Sequence, residues 1–366
     1  MKHQLARLMP LAILIGLLTT VWEYASSKLP ASTEGPAVLV QQGGSIQAAI
    51  DDAASGTTIV LEAGAFRESL IIDRSVTVRG SPDGTVLEGS RFGAALLVIG
   101  DDTRVRIEQL TVTGGRGFRG HGIQTEDNAA VELVGVTSTG NSWCGVWARD
   151  RSTLVLEDCR LTANKTFGLY TWDFARVELR DCVISANGTH GIVALHASEI
   201  ALLDCHIAEN WSGLWAWDGV RLRATNTDIT DNDTQGVVAQ NAALIELAGS
   251  SVSNNADCGL WFCQSSRGVL RECLIQDNGR DGVLIEQDGI VEFYCCTILG
   301  NAWTGIRAAA PECVGGFDPA SPYKGWIVGE ANVVPGPGSE HGNHEAALCP
   351  TYPGSLWPPG FLAEGR

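Results

Sequence analysis

The stretch that decides the fold repeats one short motif, as in NSWCGVW (residues 141–147), NKTFGLY (164–170) and NGTHGIV (187–193). Each copy starts with asparagine and carries a glycine and an aliphatic residue four and five positions later. This glycine–aliphatic pair occurs nine times, and successive pairs are 23 residues apart except for one step of 22. A fixed period of this length indicates stacked supersecondary units, each of which buries its apolar face against the next copy. The pairs are Gly122-Ile123, Gly145-Val146, Gly168-Leu169, Gly191-Ile192, Gly213-Leu214, Gly236-Val237, Gly259-Leu260, Gly282-Val283 and Gly305-Ile306.

Between the glycines, apolar and polar residues alternate in short runs such as LVLEDC (residues 154–159) and CVISAN (182–187). Alternation with a period of two predicts β-strands, and none of the repeats contains a run with a helical period. Short strands of this kind cannot fold back on each other within one repeat, so they pair with the equivalent strands of the neighbouring copies. We therefore predict an all-β fold, a right-handed parallel β-helix (solenoid), with an N-terminal capping helix and an irregular C-terminal tail.

Two further columns of residues keep the register of the glycines. Asparagine stands four residues before seven of the glycines, and Asn210 stands three before Gly213, which accounts for the short step. Stacked about 4.8 Å apart, these amides should form a hydrogen-bonded ladder at a bend, where asparagine tolerates the left-handed conformation. Valine, threonine and serine share the other column with cysteine, so we expect it to hold small buried side chains, with disulfide or metal chemistry as the alternative. This column contains Val136, Cys159, Cys182, Cys205, Thr227, Ser250, Cys273 and Cys296.

The region before the repeats contains the one convincing helix, SIQAAIDDA (residues 45–53), with Ser45 at its N-cap and its apolar residues on one face. GTTIVLEAGAFRE (56–68) and VTVRG (76–80) follow it. This opening resembles that of the pectin-lyase-like β-helix superfamily, in which a capping helix precedes a first coil of the "GDTIVV-PG-Y-E" type and a strand of the "LTLRG" type. The resemblance runs from Ser45 to about Ala310 and implies the fold. It does not choose an activity, because the superfamily contains lyases, hydrolases, epimerases, esterases and non-catalytic binding proteins.

The N-terminal end of the chain has the pattern of an export signal. Lys2, His3 and Arg7 precede an apolar stretch from Leu8 to Val21. We therefore predict a signal peptide or an uncleaved signal anchor over residues 1–27. Either form predicts an extracytoplasmic protein that is secreted, periplasmic or anchored at the cell surface. Contact with a membrane is expected only through this segment, and only if it is not cleaved.

The rest of the chain divides by composition. We interpret residues 28–44 as a linker, residues 45–310 as the β-helix and residues 311–366 as a Gly/Pro-rich C-terminal extension. In an exported protein, Cys313 and Cys349 of this extension are the candidate disulfide pair.

The charge of the chain limits its partners. Across 366 residues the net charge is −17, and the sequence pI is about 4.8. So acidic a chain disfavours a nucleic acid as partner, because phosphate backbones are bound by basic surfaces. It suits neutral or cationic ligands, or metal ions.

An aromatic stripe is the strongest sign of a ligand. If the aliphatic residue after each glycine points inward, the residues two and four positions after the glycine point outward. Indole rings stack on the C–H faces of sugars, so aromatic residues there favour a polysaccharide or other glycan as partner. The alternative is that the rings pack on one another beneath the C-terminal tail or a partner subunit. The predicted substrate-binding residues are Trp147, Tyr170, Trp172, Trp215, Trp217 and Trp261.

A carboxylate column follows the first three glycines at a distance of five residues, at Asp127, Asp150 and Asp173. Stacked carboxylates repel each other unless a cation lies between them, and calcium could bridge such oxygen ligands. Nearby arginines such as Arg149 could serve the same purpose without a metal. No cofactor is certain from the sequence, and calcium is the candidate.

For catalysis, the best candidates are Asp257, Asp281 and Arg307, which lie on neighbouring copies of the repeat. Two carboxyl groups one coil apart could divide the acid and base roles of glycoside hydrolysis. Alternatively, an arginine could act as the base, as in the pectate lyases of the superfamily. The triplet Gly120-His121-Gly122 is similar to a motif of polygalacturonase-type hydrolases. In those enzymes the paired aspartates precede the histidine, whereas here they follow it by six and seven coils.

The sequence favours non-catalytic glycan binding along the Trp-rich face, because aromatic side chains are abundant while no complete set of acid, base and metal ligands converges on them. The alternative is a polysaccharide lyase, glycoside hydrolase or epimerase that acts through the region of Asp257 and Asp281. A third interpretation, maturation of a metal centre in the periplasm, requires exposed metal ligands, which an inward-facing cysteine column does not supply.

Overall fold

Three parallel sheets wind into one coil. The computed structural model describes residues 35–308, 326–335, 343 and 346–349. Within these residues the strands form sheets of 13, 12 and 11 strands, and each strand pairs in parallel with the equivalent strands of the neighbouring coils. This arrangement is the predicted right-handed parallel β-helix.

Each of the three sheets, A, B and C, takes one strand from successive coils. Sheet A, the largest, consists of Ala37–Val40, Thr57–Leu61, Val76–Arg79, Arg104–Glu108, Ala130–Val134, Thr153–Glu157, Arg176–Arg180, Glu199–Leu203, Arg221–Thr225, Leu244–Ala248, Arg267–Arg271, Ile290–Tyr294 and Trp326–Glu330. Sheet B, the smallest, consists of Gly64–Phe66, Thr85–Glu88, Thr111–Thr113, Thr137–Thr139, Arg160–Thr162, Val183–Ser185, His206–Ala208, Asp228–Thr230, Ser251–Ser253, Leu274–Gln276 and Thr297–Leu299. Sheet C consists of Leu70–Ile72, Leu96–Val98, Ile123–Thr125, Val146–Ala148, Leu169–Thr171, His190–Ala194, Ser212–Trp217, Val237–Gln240, Leu260–Phe262, Val283–Ile285, Thr304–Ala308 and Ala346–Cys349.

The glycine column marks a close approach of successive coils. A Cβ atom added to Gly168 would lie 2.7 Å from the carbonyl oxygen of Gly191 and 2.5 Å from Cγ2 of Ile184. Real Cβ atoms essentially never approach other atoms so closely, so a side chain in this column would push the coils apart. The aliphatic residue after each glycine is buried and paired in register, as Val146 is with Leu169.

The predicted asparagine ladder is present. The side-chain amide of Asn164 donates to Oδ1 of Asn187 over 3.1 Å, and the backbone N–H of Asn164 donates to the same oxygen over 3.1 Å. The same two bonds recur at each step from Asn141 to Asn343. The asparagines are buried, and the ladder provides the partners that buried amides require.

The left-handed residue at this bend differs from the one expected. None of the ladder asparagines from Asn141 to Asn301 has a positive φ. The residue before each of them does, such as Ala163 with φ 53° and Ala186 with φ 54°. The amide has to point into the coil to reach the next asparagine, so the preceding residue takes the change of backbone direction. The predicted bend is therefore present, but the left-handed residue is the one before the asparagine and not the asparagine itself.

The third column is buried, as expected. Cys159, Cys182 and Cys205 lie on successive coils and are at most 3% exposed. Each thiol donates to the carbonyl oxygen two residues earlier, over 3.2 to 3.3 Å. All nine cysteines whose side chains the structure describes are free thiols. The packing interpretation of this column is confirmed.

The capping helix spans Ile46–Asp52 and is the only helix among the described residues. The side chain of Ser45 accepts a hydrogen bond from the backbone N–H of Ala48, as an N-cap should. Ile46 and Ile50 are fully buried in the core of the first coil. The predicted N-terminal cap is therefore confirmed.

The sheets extend beyond the boundaries that the repeats suggest. Ala37–Val40, inside the predicted linker, pairs with Thr57–Leu61. Trp326–Glu330 and Ala346–Cys349, inside the predicted extension, pair with the last regular coil. The edge of a sheet offers unpaired backbone groups to any extended segment, so such pairing needs no 23-residue pattern in the added strand.

Several predictions fall on residues outside the described part of the chain. The signal segment, residues 1–27, is one of them, and Cys313 of the predicted disulfide is another. No helix within the described residues is long and apolar enough to cross a membrane.

We expect Asn187→Ala to lower the free energy of unfolding by about 2 kcal/mol, because it leaves the buried amide and backbone N–H of Asn164 without their acceptor. Denaturant unfolding followed by circular dichroism measures the difference. Lys165→Ala, in the equivalent turn one coil earlier, is the matched control because its side chain is exposed. Equal stability of the two variants would refute the ladder as a source of stability.

Candidate functional site

The aromatic stripe lies on the outer face of sheet C. Strand pairing aligns the residues two positions after each glycine in one column along this face. Trp172 and Trp217 lie two residues further along the chain than the column members of their coils. All six predicted substrate-binding residues are therefore on this face or at its margin. The column contains Gln124, Trp147, Tyr170, Val193, Trp215, Val238, Trp261, Leu284 and Arg307.

The stripe is less open than expected. Trp217 is 43% exposed but Trp147 is only 7% exposed, and the other four predicted residues are half-buried. The rings cover one another: that of Trp147 lies 4.6 Å from the ring of His121 and stacks on Tyr170 at 5.9 Å. Tyr170 in turn meets Trp172 edge-on at 5.8 Å. The outward direction of these aromatic side chains from sheet C was predicted correctly. Their exposure was not, because it depends on which rings lie beside each other.

A second group of rings continues the contact along the face. Phe167 lies 5.4 Å from Tyr170 and stacks on His190 at 5.8 Å. Trp211 and Trp215 both meet the His190 ring edge-on, at 5.3 and 5.0 Å. Burial lowers the pKa of His190 to about 4, so its ring is neutral near pH 7. The aromatic surface thus runs without a break from the first group of rings to this one.

A cavity of about 320 Å³ opens among the first group of rings. The segment before strand Ile123–Thr125 supplies one side of it, with Phe118 meeting Trp143 edge-on at 4.8 Å. Six of the eight lining side chains are rings and the other two are arginines, a combination that offers both stacking surfaces and positive charge. The lining residues are Phe118, Arg119, His121, Trp143, Trp147, Arg149, Tyr170 and Trp172.

His121 is the most buried polar group in this wall and was missed as a site residue. It is 1% exposed, and its Nδ1 lies 2.8 Å from Sγ of Cys144 on the next coil. Burial and the nearby Arg119 lower the pKa of His121 to about 3, so the ring is neutral. The signal was available one residue before each glycine, in a column that is polar or aromatic throughout. That column contains His121, Cys144, Phe167, His190, Ser212, Gln235, Cys258, Asp281 and Thr304.

Three ring nitrogen atoms of the cavity wall are buried with no hydrogen-bond partner among the described residues. They are Nε2 of His121 and the indole nitrogens of Trp143 and Trp147. A buried polar group without a partner costs about 1–3 kcal/mol. A polar ligand that supplies those partners therefore gains more here than on an ordinary surface.

The remaining polar groups of the cavity are a phenol and a guanidinium. Burial raises the pKa of Tyr170, so the phenol keeps its proton near pH 7. The guanidinium of Arg149 lies 5.3 Å from the ring centre of Trp147 and pairs with Asp150 at 2.6 Å. Arg149 thus brings positive charge to the cavity while a carboxylate holds it in place.

The predicted calcium ligands occupy left-handed turn positions on successive coils, and each already has a partner. Asp127 accepts a backbone N–H at 3.1 Å, Asp150 pairs with Arg149, and Asp173 lies 3.7 Å from Nδ1 of His196. Within the described part of the chain, no group of three or more His, Cys, Asp or Glu side chains is arranged to hold a metal ion. This donor set fits calcium poorly, and the calcium site stays a prediction.

The three predicted catalytic residues lie in one region. Asp281 is fully buried and pairs with Nη2 of Arg307 at 2.6 Å, and Thr304 donates both its backbone N–H and its hydroxyl to the same carboxylate. Asp257, one coil earlier, is partly exposed and pairs with Arg280 at 3.1 Å. Asp281 occupies the same column as the cavity histidine but seven coils away, about 34 Å. This cluster and the cavity therefore cannot act on the same sugar.

The comparison with known proteins agrees with this architecture. The family model "Right handed beta helix region" matches residues 75–227 and 212–311. The chain belongs to this family. The match also bears out the resemblance of this β-helix to the pectin-lyase-like superfamily. No curated protein sequence matches it.

Solved structures of similar shape include two modules from Azotobacter vinelandii. The A-module of mannuronan C-5 epimerase AlgE6 has a TM-score of 0.67 and 18% identity, and the match covers 88% of this chain and 95% of that chain. The A-module of mannuronan C-5 epimerase AlgE4 has a TM-score of 0.62 and 18% identity, and the match covers 87% of this chain and 95% of that chain. The Dettilon tailspike protein has a TM-score of 0.57 and 13% identity, and the match covers 79% of this chain and 68% of that chain. At these identities the likeness shows the fold alone.

The two ion pairs near the C-terminal end of sheet C provide a matched test of burial. We expect Asp281→Asn to lower the free energy of unfolding by about 3 kcal/mol, because it removes the carboxylate charge that faces the buried guanidinium of Arg307. Asp257→Asn should cost about 1 kcal/mol or less, since Asp257 and Arg280 remain in contact with solvent. Thermal or denaturant unfolding of both variants measures the difference. Equal losses would show that burial does not decide the contribution of these pairs.

Proposed function

We propose that this β-helix binds a polysaccharide, with part of the chain in the sheet C cavity and the rest along the neighbouring aromatic face. The observation that carries the proposal is the cavity wall, which contains six rings and in which three ring nitrogens are buried without a hydrogen-bond partner among the described residues. Of the residues predicted from the sequence to bind substrate, Trp147, Tyr170 and Trp172 line this cavity. Trp215, Trp217 and Trp261 belong to the extended part of the face.

Sugars suit this wall for two physical reasons. Their C–H faces stack on indole and phenol rings, and their oxygen atoms accept hydrogen bonds from indole, imidazole and guanidinium N–H groups. The cavity volume of about 320 Å³ lies near the lower end of the range for small-molecule sites. A cavity of this size encloses a short part of a polymer, so the remainder has to lie on the surface outside it.

The solved neighbours support the same ligand class. Two of them are named as mannuronan C-5 epimerases, which act on a polysaccharide. The likeness concerns the fold, so the choice of polysaccharide here rests on the cavity and not on the names. An extracytoplasmic location is part of the proposal, since polymers of this kind lie outside the cytoplasm and residues 1–27 have the pattern of an export signal.

We expect Trp172→Ala to lower the affinity for the preferred polysaccharide about tenfold or more, because it removes one stacking surface from the cavity. Oligosaccharides of mannuronan, polygalacturonate and cellulose are the probes, and isothermal titration calorimetry with the full chain is the measurement. Tyr294→Ala is the matched control, since Tyr294 lies on sheet A. Trp217→Ala shows how far the bound chain extends along the face.

Binding that survives Trp172→Ala, or that falls equally in the sheet A control, would contradict a site in this cavity. Absence of binding to every probe and to a wider glycan panel would contradict the proposal as a whole.

Catalysis is the second candidate function, as a polysaccharide lyase, glycoside hydrolase or epimerase. An imidazole and a phenol in one cavity favour it, because both groups can move protons. Against it, a pKa of about 3 makes His121 a weak base, and catalytic bases work best with a pKa near the working pH. Asp257, Asp281 and Arg307 form the other candidate centre, where Asp281 is held in a buried ion pair.

We expect polysaccharides incubated with the protein to show no new reducing ends, no unsaturated sugars and no deuterium uptake at C5 in heavy water. Reducing-sugar assays, ultraviolet absorbance and proton NMR measure these three outcomes. The appearance of new reducing ends, of unsaturated sugars or of deuterium at C5 would replace binding by catalysis. His121→Gln and Asp257→Asn would then show which of the two centres is responsible.

A further inference from the structure

The two ring nitrogens of His121 have different surroundings. Nδ1 faces Sγ of Cys144 at 2.8 Å. Nε2 is buried in the cavity wall and has no hydrogen-bond partner among the described residues. A neutral imidazole carries one proton, and the contact at one nitrogen decides whether the other is a donor or an acceptor.

The contact with Cys144 is between two neutral groups. Burial raises the pKa of the Cys144 thiol, and burial together with Arg119 lowers the pKa of His121. Sulfur is a weak acceptor, whereas an unprotonated imidazole nitrogen is a good one. The better hydrogen bond therefore has the thiol as donor and Nδ1 as acceptor.

We propose that Cys144 donates its thiol proton to Nδ1 of His121 and so keeps the imidazole proton on Nε2, where it donates to an oxygen atom of the bound ligand. Cys144 is a positioning residue in this arrangement, because it acts on the ligand only through the imidazole. The assignment of the ligand as a glycan rests on the proposed function, but the assignment of the proton does not.

The rest of the wall explains why this proton matters. The indole nitrogens of Trp143 and Trp147 are also buried without a hydrogen-bond partner in the described part of the chain. Indole and guanidinium groups can only donate. With Nε2 protonated, His121, Arg149 and the two indoles all present hydrogen-bond donors in the cavity wall. Such a wall selects ligand groups that accept hydrogen bonds, such as ether, hydroxyl or carboxylate oxygens, and disfavours groups that only donate.

His190 is an internal control for the role of the thiol. It occupies the same column and is also buried and neutral, but its strand partner is Ser212 and its Nδ1 has no hydrogen-bond partner among the described residues. Its proton position is therefore not set by a thiol.

The experiment is ¹H–¹⁵N NMR of the full chain with ¹⁵N-labelled histidine, since protonated and unprotonated ring nitrogens resonate far apart. We expect the wild type to show His121 with Nε2 protonated. Cys144→Ala should populate the other tautomer of His121 while the signals of His190 stay unchanged. Cys144→Ser, which retains a hydroxyl donor, should restore the wild-type pattern.

Wild-type spectra with Nδ1 protonated, or with both nitrogens protonated, would overturn the proposal even if Cys144→Ala failed to fold. An unchanged His121 tautomer in folded Cys144→Ala would overturn it as well.

Binding provides the second measurement. For whichever of the mannuronan, polygalacturonate or cellulose oligosaccharides binds, we expect Cys144→Ala to lower the affinity about fivefold and Cys144→Ser to restore it. Comparison of the acidic with the neutral probes identifies the accepting oxygen as carboxylate or hydroxyl. Unchanged affinity in Cys144→Ala would remove the link between the thiol and the ligand. If no glycan binds, the proposed function fails while the spectra still decide where the proton lies.

Discussion

The contact on which the rest of the structure depends is the close approach of one glycine to the carbonyl oxygen of the glycine on the next coil. It leaves no room for a Cβ atom, as the 2.7 Å distance between a Cβ on Gly168 and the oxygen of Gly191 shows. Because the approach is the same at each regular coil, equivalent residues stack in register. The asparagine ladder needs that register, since each Oδ1 accepts both the amide and the backbone N–H of the asparagine one coil earlier.

The same register builds the site. Residues that are 22 or 23 apart in the chain become neighbours, so aromatic side chains scattered along the sequence form one surface on sheet C. Their packing covers Trp147 and encloses His121 while leaving a cavity beside them. Burial then keeps the imidazole neutral and the phenol protonated, and it leaves three ring nitrogens without a hydrogen-bond partner among the described residues. Affinity for a polar ligand would thus arise from ring nitrogens that the stacking of the coils buries.

The polar groups at the other end of the face behave differently. Asp281 and Arg307 neutralise each other away from solvent, and Thr304 donates two hydrogen bonds to the carboxylate. The Asp281 carboxylate therefore has its hydrogen-bond donors and its counter-charge, whereas the ring nitrogens of the cavity wall have no partner among the described residues. This contrast favours the cavity over the aspartate cluster as the place where a ligand binds.

The sequence by itself determined the fold, the capping helix, the asparagine ladder, the buried small column and the face on which the aromatic residues lie. All of these follow from periodicity, which states which residues stack on each other and which way they point. Tertiary structure alone decided that Ala163 and Ala186 take the left-handed bend, that Trp147 is covered, and that Ala37–Val40 joins sheet A. It also brought Phe118 and Arg119 to the cavity and Nδ1 of His121 to the thiol of Cys144. The physical reason is that these features depend on distances between side chains and on unpaired sheet edges, neither of which the repeat period contains.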